Sequence, residues 1–425
     1  MAAIWLKHPD AILADDAGGG IVVASGRIVE LVPAGARPAH PYDAAEDLRG
    51  TVLLPGLVDG HHHGWQHVAR MAGGEPTLDD LRGAYRLAFA LALRRGCTTL
   101  VEHQEFYPPT WRCAGDVAVE VARELGLRLV LARGGVDRGG DDGGRAPAWM
   151  VETAETILAD AARLIARYHQ AGRDDALCQV MLAPNQPAEV SRWLLEEAAA
   201  LASLHEVRLQ THLAASDEAV DRCRAHFGCR PVDVLEAAGW LGPRTTLVDA
   251  RRLTLAEIAR LAQHGVAVVQ CPAAEGADGA SPTPVQELTA AGIAVGLGSA
   301  AGGNVAADVR LAELALRARG SERARSSSAA ALAAATVGGA ATLGRSDLGT
   351  IAVGQAADLV AYPTDPLQPW LGADPAAVLA GPDAPRAERV MVAGRWVVRD
   401  GTVLGLDPTA LRPAPAAAGG CRLAG

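Results

Sequence analysis

PGLVDGHHHGWQH, residues 55–67, places four histidines within seven positions behind a short apolar run. In an extended strand successive side chains point to opposite faces, so His61 and His63 project together while His62 points away. The unit that can carry chemistry is therefore His61-x-His63. His62 reads as structural, turned toward the packing.

Working outward from that run, seven more apolar stretches of strand length follow: TTLVE (98–102), LRLVLA (127–132), LCQVML (177–182), VRLQTH (207–212), TTLVD (245–249), VAVVQ (266–270) and IAVGLG (293–298). Helical patterns separate them, which is the mark of βα units on a parallel sheet. In TLAEIARLAQHG (254–265), for example, Thr254 and Glu257 form a capping box, Leu255, Ile258 and Leu261 share a face, and Gly265 stops the helix. Eight such units predict a (β/α)8 barrel of the TIM type over residues 55–347. Short strands with glycine turns at 20–34, 46–54, 349–363 and 388–405 predict one β-sandwich built from both chain ends, residues 1–54 and 348–425, with the barrel inserted between its halves.

A chain of 425 residues that is 49% apolar can bury a large core. Its net charge of −10 is dispersed and gives no electrostatic footprint for nucleic acid. The opening MAAIWLKHPDAIL lacks the pattern of a signal peptide, and no run reaches membrane-spanning length, so no membrane partner is expected and a cytoplasmic location is. Seven scattered cysteines without CxxC pairs read as reduced thiols. A small-molecule partner is what remains.

In such a barrel the chemistry sits at the carboxyl ends of the strands. Those ends carry His61 and His63, Glu102 and His103, Arg133, Asn185, His212, Asp249, Gln270 and Cys271, and Ser299. His61, His63 and His212 can converge on one divalent ion, with Asp249 as a fourth ligand. The glycine- and aspartate-rich 134–147 reads as a mobile loop over the mouth or a surface insertion.

PGLVDGHHHGWQ, TTLVEH, LAPNQP, RLQTHLAAS, residues 217–242, VQCPAAE, VGLGS and the tail from GTIAVGQAADLVAYPTD onward together resemble the amidohydrolase superfamily. The resemblance is greatest to its branch of 8-oxoguanine deaminases, cytosine deaminases and triazine hydrolases. It runs nearly end to end and implies the same barrel and sandwich, a bound Zn2+ or Fe2+, and often a homo-oligomer. The family's HxH pair falls on His61 and His63, and its fifth-strand histidine on His212. Elsewhere the pattern is broken: the HLAE glutamate is Ala215, the sixth-strand histidine is Asp249, the seventh-strand histidine is Gln270, and the eighth-strand aspartate is Ala300. Two proton-handling carboxylates are thus missing, each worth about 10²–10⁴-fold in rate.

Three readings follow. In the first, His61, His63, His212 and Asp249 hold the ion and hydrolyse or deaminate a C–N bond in a small heterocycle. Glu102, His103, Asp217 or Glu218 then supplies the proton traffic, unless Asp217 and Glu218 merely open a helix and Glu102 pairs with Arg133. In the second, the barrel is metal-free and repurposed as a cyclase, lyase or isomerase, with Cys271 a conceivable nucleophile. In the third, it is a catalytically inactive binding protein. Asp249 separates them, because a site without metal predicts its carboxylate turned to Arg251, Arg252 or solvent. Trp65, Gln66, Arg133, Asn185 and Gln270 are the candidate substrate contacts.

Overall fold

Eight parallel strands form the central sheet of the computed structural model, which describes residues 2–71, 76–172, 175–279, 281–318, 324–365, 367, 374–379, 381 and 385–411. In chain order they are β1 Leu57–His62, β2 Cys97–Gln104, β3 Arg128–Arg133, β4 Cys178–Leu182, β5 Leu209–Leu213, β6 Thr245–Asp249, β7 Ala267–Gln270 and β8 Val295–Leu297. Each pairs with its sequence neighbour. Beyond β8 the circle closes through Ala300, whose N–H donates to the His61 carbonyl at 2.9 Å and whose carbonyl accepts from the His63 N–H at 3.1 Å. The sheet is thus a (β/α)8 barrel.

Strands covered on both faces bury nearly every residue, and β3, RLVLAR, buries all six. Outward residues such as Leu100, Leu131, Leu182, Leu213, Leu247 and Val268 join the core shared with the helices. Inward ones fill the barrel in two groups, Val58, Val101, Val130, Ala132 and Met181 in one, Val248, Val269 and Cys271 in the other. Gly298 makes the second group possible, because a Cβ there would lie 2.8 Å from the His61 Cβ and 3.0 Å from the Cys271 sulfur. The helix expected after Thr254 spans Leu255–Gln263 with its capping box intact. Ile258 and Leu261 are buried, but Leu255, in the first turn, projects past the packed face and is exposed.

Two further sheets come from the chain ends. One orders Arg27–Val32, Gly20–Ala24, Ile4–Lys7 and Ala44–Asp47. The other runs Thr402–Val403, Arg395–Arg399, Arg389–Val392, Leu359–Pro363, Thr51–Pro55 and Ala11–Ile12. Leu6, Ile21, Ile28, Leu53, Leu359 and Met391 pack between them. Among the described residues no helix is long and apolar enough to cross a membrane. The six described cysteines are free, and Cys421 lies outside the described residues.

One buried ion pair ties the barrel to the sandwich. Arg128, at the base of β3, donates from Nε and Nη2 to the two oxygens of Asp358 at 3.0 and 2.9 Å, and Asp358 also accepts from the Ala393 N–H. Both side chains are at most 2% exposed, so removing one leaves the other as an uncompensated buried charge. Asp358→Ala should cost roughly 3–5 kcal/mol. The double change Arg128→Met/Asp358→Leu should recover much of that in urea denaturation, and a double change as costly as the single one would show that the charge pair is not what matters.

Candidate metal centre

At the carboxyl end of the barrel the inward faces of β1, β2 and β5 bring four imidazoles together. His61, His63, His103 and His212 each offer a ring nitrogen, and these atoms lie within 4.8 Å of one another. The alternation that sends His61 and His63 inward turns His62 outward, where its Nδ1 lies 2.6 Å from a Glu102 oxygen. Burial alone would lower the basicity of His62, but the Glu102 carboxylate overrides it and raises it.

Hydrogen bonds at the rim fix where the lone pairs point. The Gln210 amide donates to the Gly60 carbonyl at 3.0 Å, so its oxygen accepts from His61 Nδ1 at 2.9 Å. His63 Nδ1 donates to the His103 carbonyl at 3.1 Å, and His103 Nε2 to the Ala183 carbonyl at 3.0 Å. His61, His63 and His103 have therefore each spent a proton on the far side. His61 Nε2 and His63 Nε2 face each other at 2.9 Å with lone pairs only, and His103 Nδ1 and His212 Nδ1 are buried without a hydrogen-bond partner.

Two lone pairs in contact are repulsive unless something electron-poor lies between them. Protonation is resisted: burial pulls His61 down to about 4, and burial with mutual repulsion holds His63, His103 and His212 well below the ordinary imidazole value. An all-nitrogen set of neutral rings suits zinc or another borderline transition ion and does not suit Mg2+ or Ca2+. The residues fit such an ion.

Asp249 does not join them, which corrects the expectation that it replaces the missing sixth-strand imidazole. It pairs in register with Leu213 on the helix-facing side of the sheet, and its carboxylate meets Arg251 Nη2 at 3.0 Å. The ligand set built on Asp249 is therefore set aside, and with it the first reading as stated, because a carboxylate turned to Arg251 is the geometry expected where that residue holds no ion; the case for an ion rests instead on four imidazoles, the fourth being that of His103. Glu102 and Arg133 are also outward and do not pair with each other. Glu102 accepts from His62 and the backbone N–H groups of Gly64 and Trp65, and Arg133 is consumed by Glu152 and Asp160 over the Tyr107 ring. Gln270 lines a separate cavity with Val285, Thr289 and Leu316, away from the imidazoles. These four fail for one reason, strand parity.

Other candidates are placed as follows. Ser216 caps the helix Asp217–Phe227, and in its first turn Asp217 pairs with Arg252 and Glu218 with Arg145. Cys271 is buried, and burial pushes its thiol well above the ordinary value, which removes it as a ready nucleophile. Ser299 donates to Asp59 at 2.5 Å. The 134–147 segment is bonded down, Asp137 by Ser191 and Arg138 to the Ala188 carbonyl. Asn185 accepts from its neighbour's N–H and lines, with Phe106, Met150 and Glu189, a cavity of about 280 Å³ between the loops at the mouth. Gln66 is exposed, whereas Trp65 is half-buried and packs edge-on against His63 and Phe106.

Three neighbours escaped sequence reasoning: Glu105, Phe106 and Gln210. Glu105 lies two residues past His103, with Oε1 3.3 Å from His63 Nδ1 and 3.7 Å from His103 Nδ1. Burial and the Glu102 carboxylate push it up to about 8. The signal was present as His103-x-Glu105 and Gln210-x-His212, the same spacing that singled out His61 and His63.

A family model described as amidohydrolase family matches residues 52–397. The 8-oxoguanine deaminase of Pseudomonas aeruginosa is 40% identical, with all of both chains covered. The hydroxydechloroatrazine ethylaminohydrolase of Pseudomonas sp. strain ADP is 34% identical over 92% of this chain and 88% of its own. Among solved structures, atrazine chlorohydrolase from Arthrobacter aurescens TC1 complexed with zinc superposes with a TM-score of 0.86 at 26% identity, covering 96% of this chain and 98% of that one.

The lowered basicity of the cluster has a sign that can be tested without metal. The unfolded chain takes up protons below about pH 6.5, while the folded rings resist until about pH 4 at His61. Their contribution to stability is present above 6.5 and lost as the pH falls toward 4. In chelated protein the urea midpoint should therefore drop more steeply between pH 7 and 5 for the wild type than for His212→Gln. Equal slopes would mean that the rings titrate normally.

Proposed function

The chain belongs to the amidohydrolase family, and from that premise we propose that it deaminates an amino-substituted heterocycle of the purine, pyrimidine or triazine kind, replacing an exocyclic amine with oxygen from water. The class of reaction follows its relatives, which include deaminases of 8-oxoguanine, isoxanthopterin and 5'-deoxyadenosine. The observation that carries the proposal is the confrontation of the His61 and His63 lone pairs at 2.9 Å, which asks for a cation.

Four protein ligands would saturate a tetrahedral ion, and catalytic zinc sites keep one position open. We therefore propose that His61, His63 and His212 would hold the ion, which leaves His103 to handle protons. When bound, the ion supplies a Lewis acid that makes water nucleophilic near neutral pH. His103 Nδ1, buried and unpartnered, receives the proton of the attacking water and returns it to the departing amine, and Glu105, with an oxygen 3.7 Å from that nitrogen, stabilises the ring while it is protonated. Water loses one proton and ammonia gains it, so the reaction balances without another reactant.

His103 and Glu105 thereby take over from the missing glutamate at Ala215 and aspartate at Ala300. Of the carboxylates flanking the cluster, Glu102 is tied to His62 and Asp249 to Arg251, whereas Glu105 faces neutral imidazoles. At the entrance Trp65, Phe106 and Trp149 follow one another with ring centroids 4.9 and 6.3 Å apart, an apolar edge on which a planar ring can stack.

The test joins metal content to ammonia release. Protein purified with zinc should hold about one equivalent, lose it in His61→Ala/His63→Ala, and release ammonia from 8-oxoguanine or a related amino-heterocycle. His103→Ala and Glu105→Gln should keep the zinc and lower kcat by about 10²–10⁴-fold. Loss of zinc in His103→Ala would make the fourth imidazole a ligand and close the site. Full zinc with no ammonia from any amino-heterocycle would remove the deaminase assignment.

A further inference from the structure

The opposite end of the barrel holds a second concentration of chemistry. A cavity of about 270 Å³ opens there between the residues that lead into β4, β5 and β6 and the segment at 343–345. Three guanidinium groups line it: Arg208, just before β5, Arg244, just before β6, and Arg345. Arg208 is four residues upstream of His212, roughly 13 Å along the strand, so the cavity is separate from the imidazole mouth.

The three cations are not equally compensated. Arg345 is bonded through Nε and Nη2 to Asp347 at 2.7 and 2.8 Å. Arg208 and Arg244 form no ion pair with a carboxylate among the described residues, although Glu206 borders the same cavity. Arg208 Nη2 donates only to the Pro243 carbonyl at 3.1 Å, and its Nε is buried with no partner. Burial and the Arg244 guanidinium together pull the half-buried Arg208 down to about 10.

The surroundings make room for that cation. Gly344 has φ +65°, and a Cβ there would stand 2.8 Å from Arg208 Nη1. His169 also lines the cavity, and because its Nδ1 accepts from the Val180 N–H at 3.0 Å, its remaining proton sits on Nε2 as a donor.

We propose that this cavity is an oxyanion-binding site, with Arg208 and Arg244 taking a phosphate group, free or as the head of a phosphate monoester. Planar guanidinium forks match phosphate oxygens, and a bound dianion removes the repulsion between the two arginines. The site is independent of the proposed reaction at the other end of the barrel.

The test is thermal denaturation with inorganic phosphate and, in parallel, ribose 5-phosphate, each against chloride at matched ionic strength. Saturable stabilisation by either ligand is expected. It should weaken about tenfold or more in apparent Kd in Arg208→Gln and in Arg244→Gln, the latter an exposed side chain whose loss leaves the fold intact. Without phosphate, Arg208→Gln should melt no lower than the wild type, because it removes one of two repelling charges. A response that persists in His61→Ala/His63→Ala locates the ion away from the mouth. No saturable stabilisation, its loss in that double variant, or an undiminished response in both arginine variants would overturn the proposal.

Discussion

The bonds that close the barrel run through the same residues that bear its imidazoles. Ala300 joins the first strand to the end of the last by accepting from the His63 N–H and donating to the His61 carbonyl, so the backbone under both rings is part of the closing seam. A loop would leave such rings free to swing apart and relieve the contact of their lone pairs. Held by a closed sheet and by Gln210 and the His103 carbonyl, they cannot, and a cation between them would relieve that contact.

Around that seam several positions differ from the pattern of the resembling enzymes. Positions where resembling enzymes carry a glutamate and an aspartate hold Ala215 and Ala300, while His103 joins the ring cluster and Glu105, two residues on, lies 3.3 Å from His63 Nδ1. The charge at Asp249 is settled locally by Arg251, and Asp249 and Ala250 follow one another in the left-handed region at φ 71° and 53°. This corner is a turn that disposes of its own carboxylate.

Much of this was legible in the sequence, and the part that was not has one physical cause. Eight apolar runs with helical connections gave the barrel because strands covered on both faces must be apolar along their whole length. A spacing of two puts His61 and His63 on one face of their strand, and both rings lie in the inward cluster. At the other strand ends position along the chain alone points to Glu102, Arg133, Asp249 and Gln270, but each sits one residue off the inward phase, and it is the spacing of two that decides. Applied there, it selects His103, Glu105, Gln210 and His212. What no spacing reveals is which buried carboxylate finds a cation, since Arg251 and Asp249 meet across a turn and Arg133 meets Glu152 across nineteen residues.

The seam between the chain ends bears on how the molecule is made. Thr51–Pro55 leads directly into the first barrel strand and pairs antiparallel with Leu359–Pro363, Leu54 opposite Val360. On a ribosome adding about 5–20 residues per second, the earlier strand waits roughly 15–60 s for its partner. Throughout that interval an apolar edge lies open, and the barrel's opening strand has no anchored neighbour on that side. Until Leu359–Pro363 has been made, Thr51–Pro55 lacks the partner it has in the folded sheet.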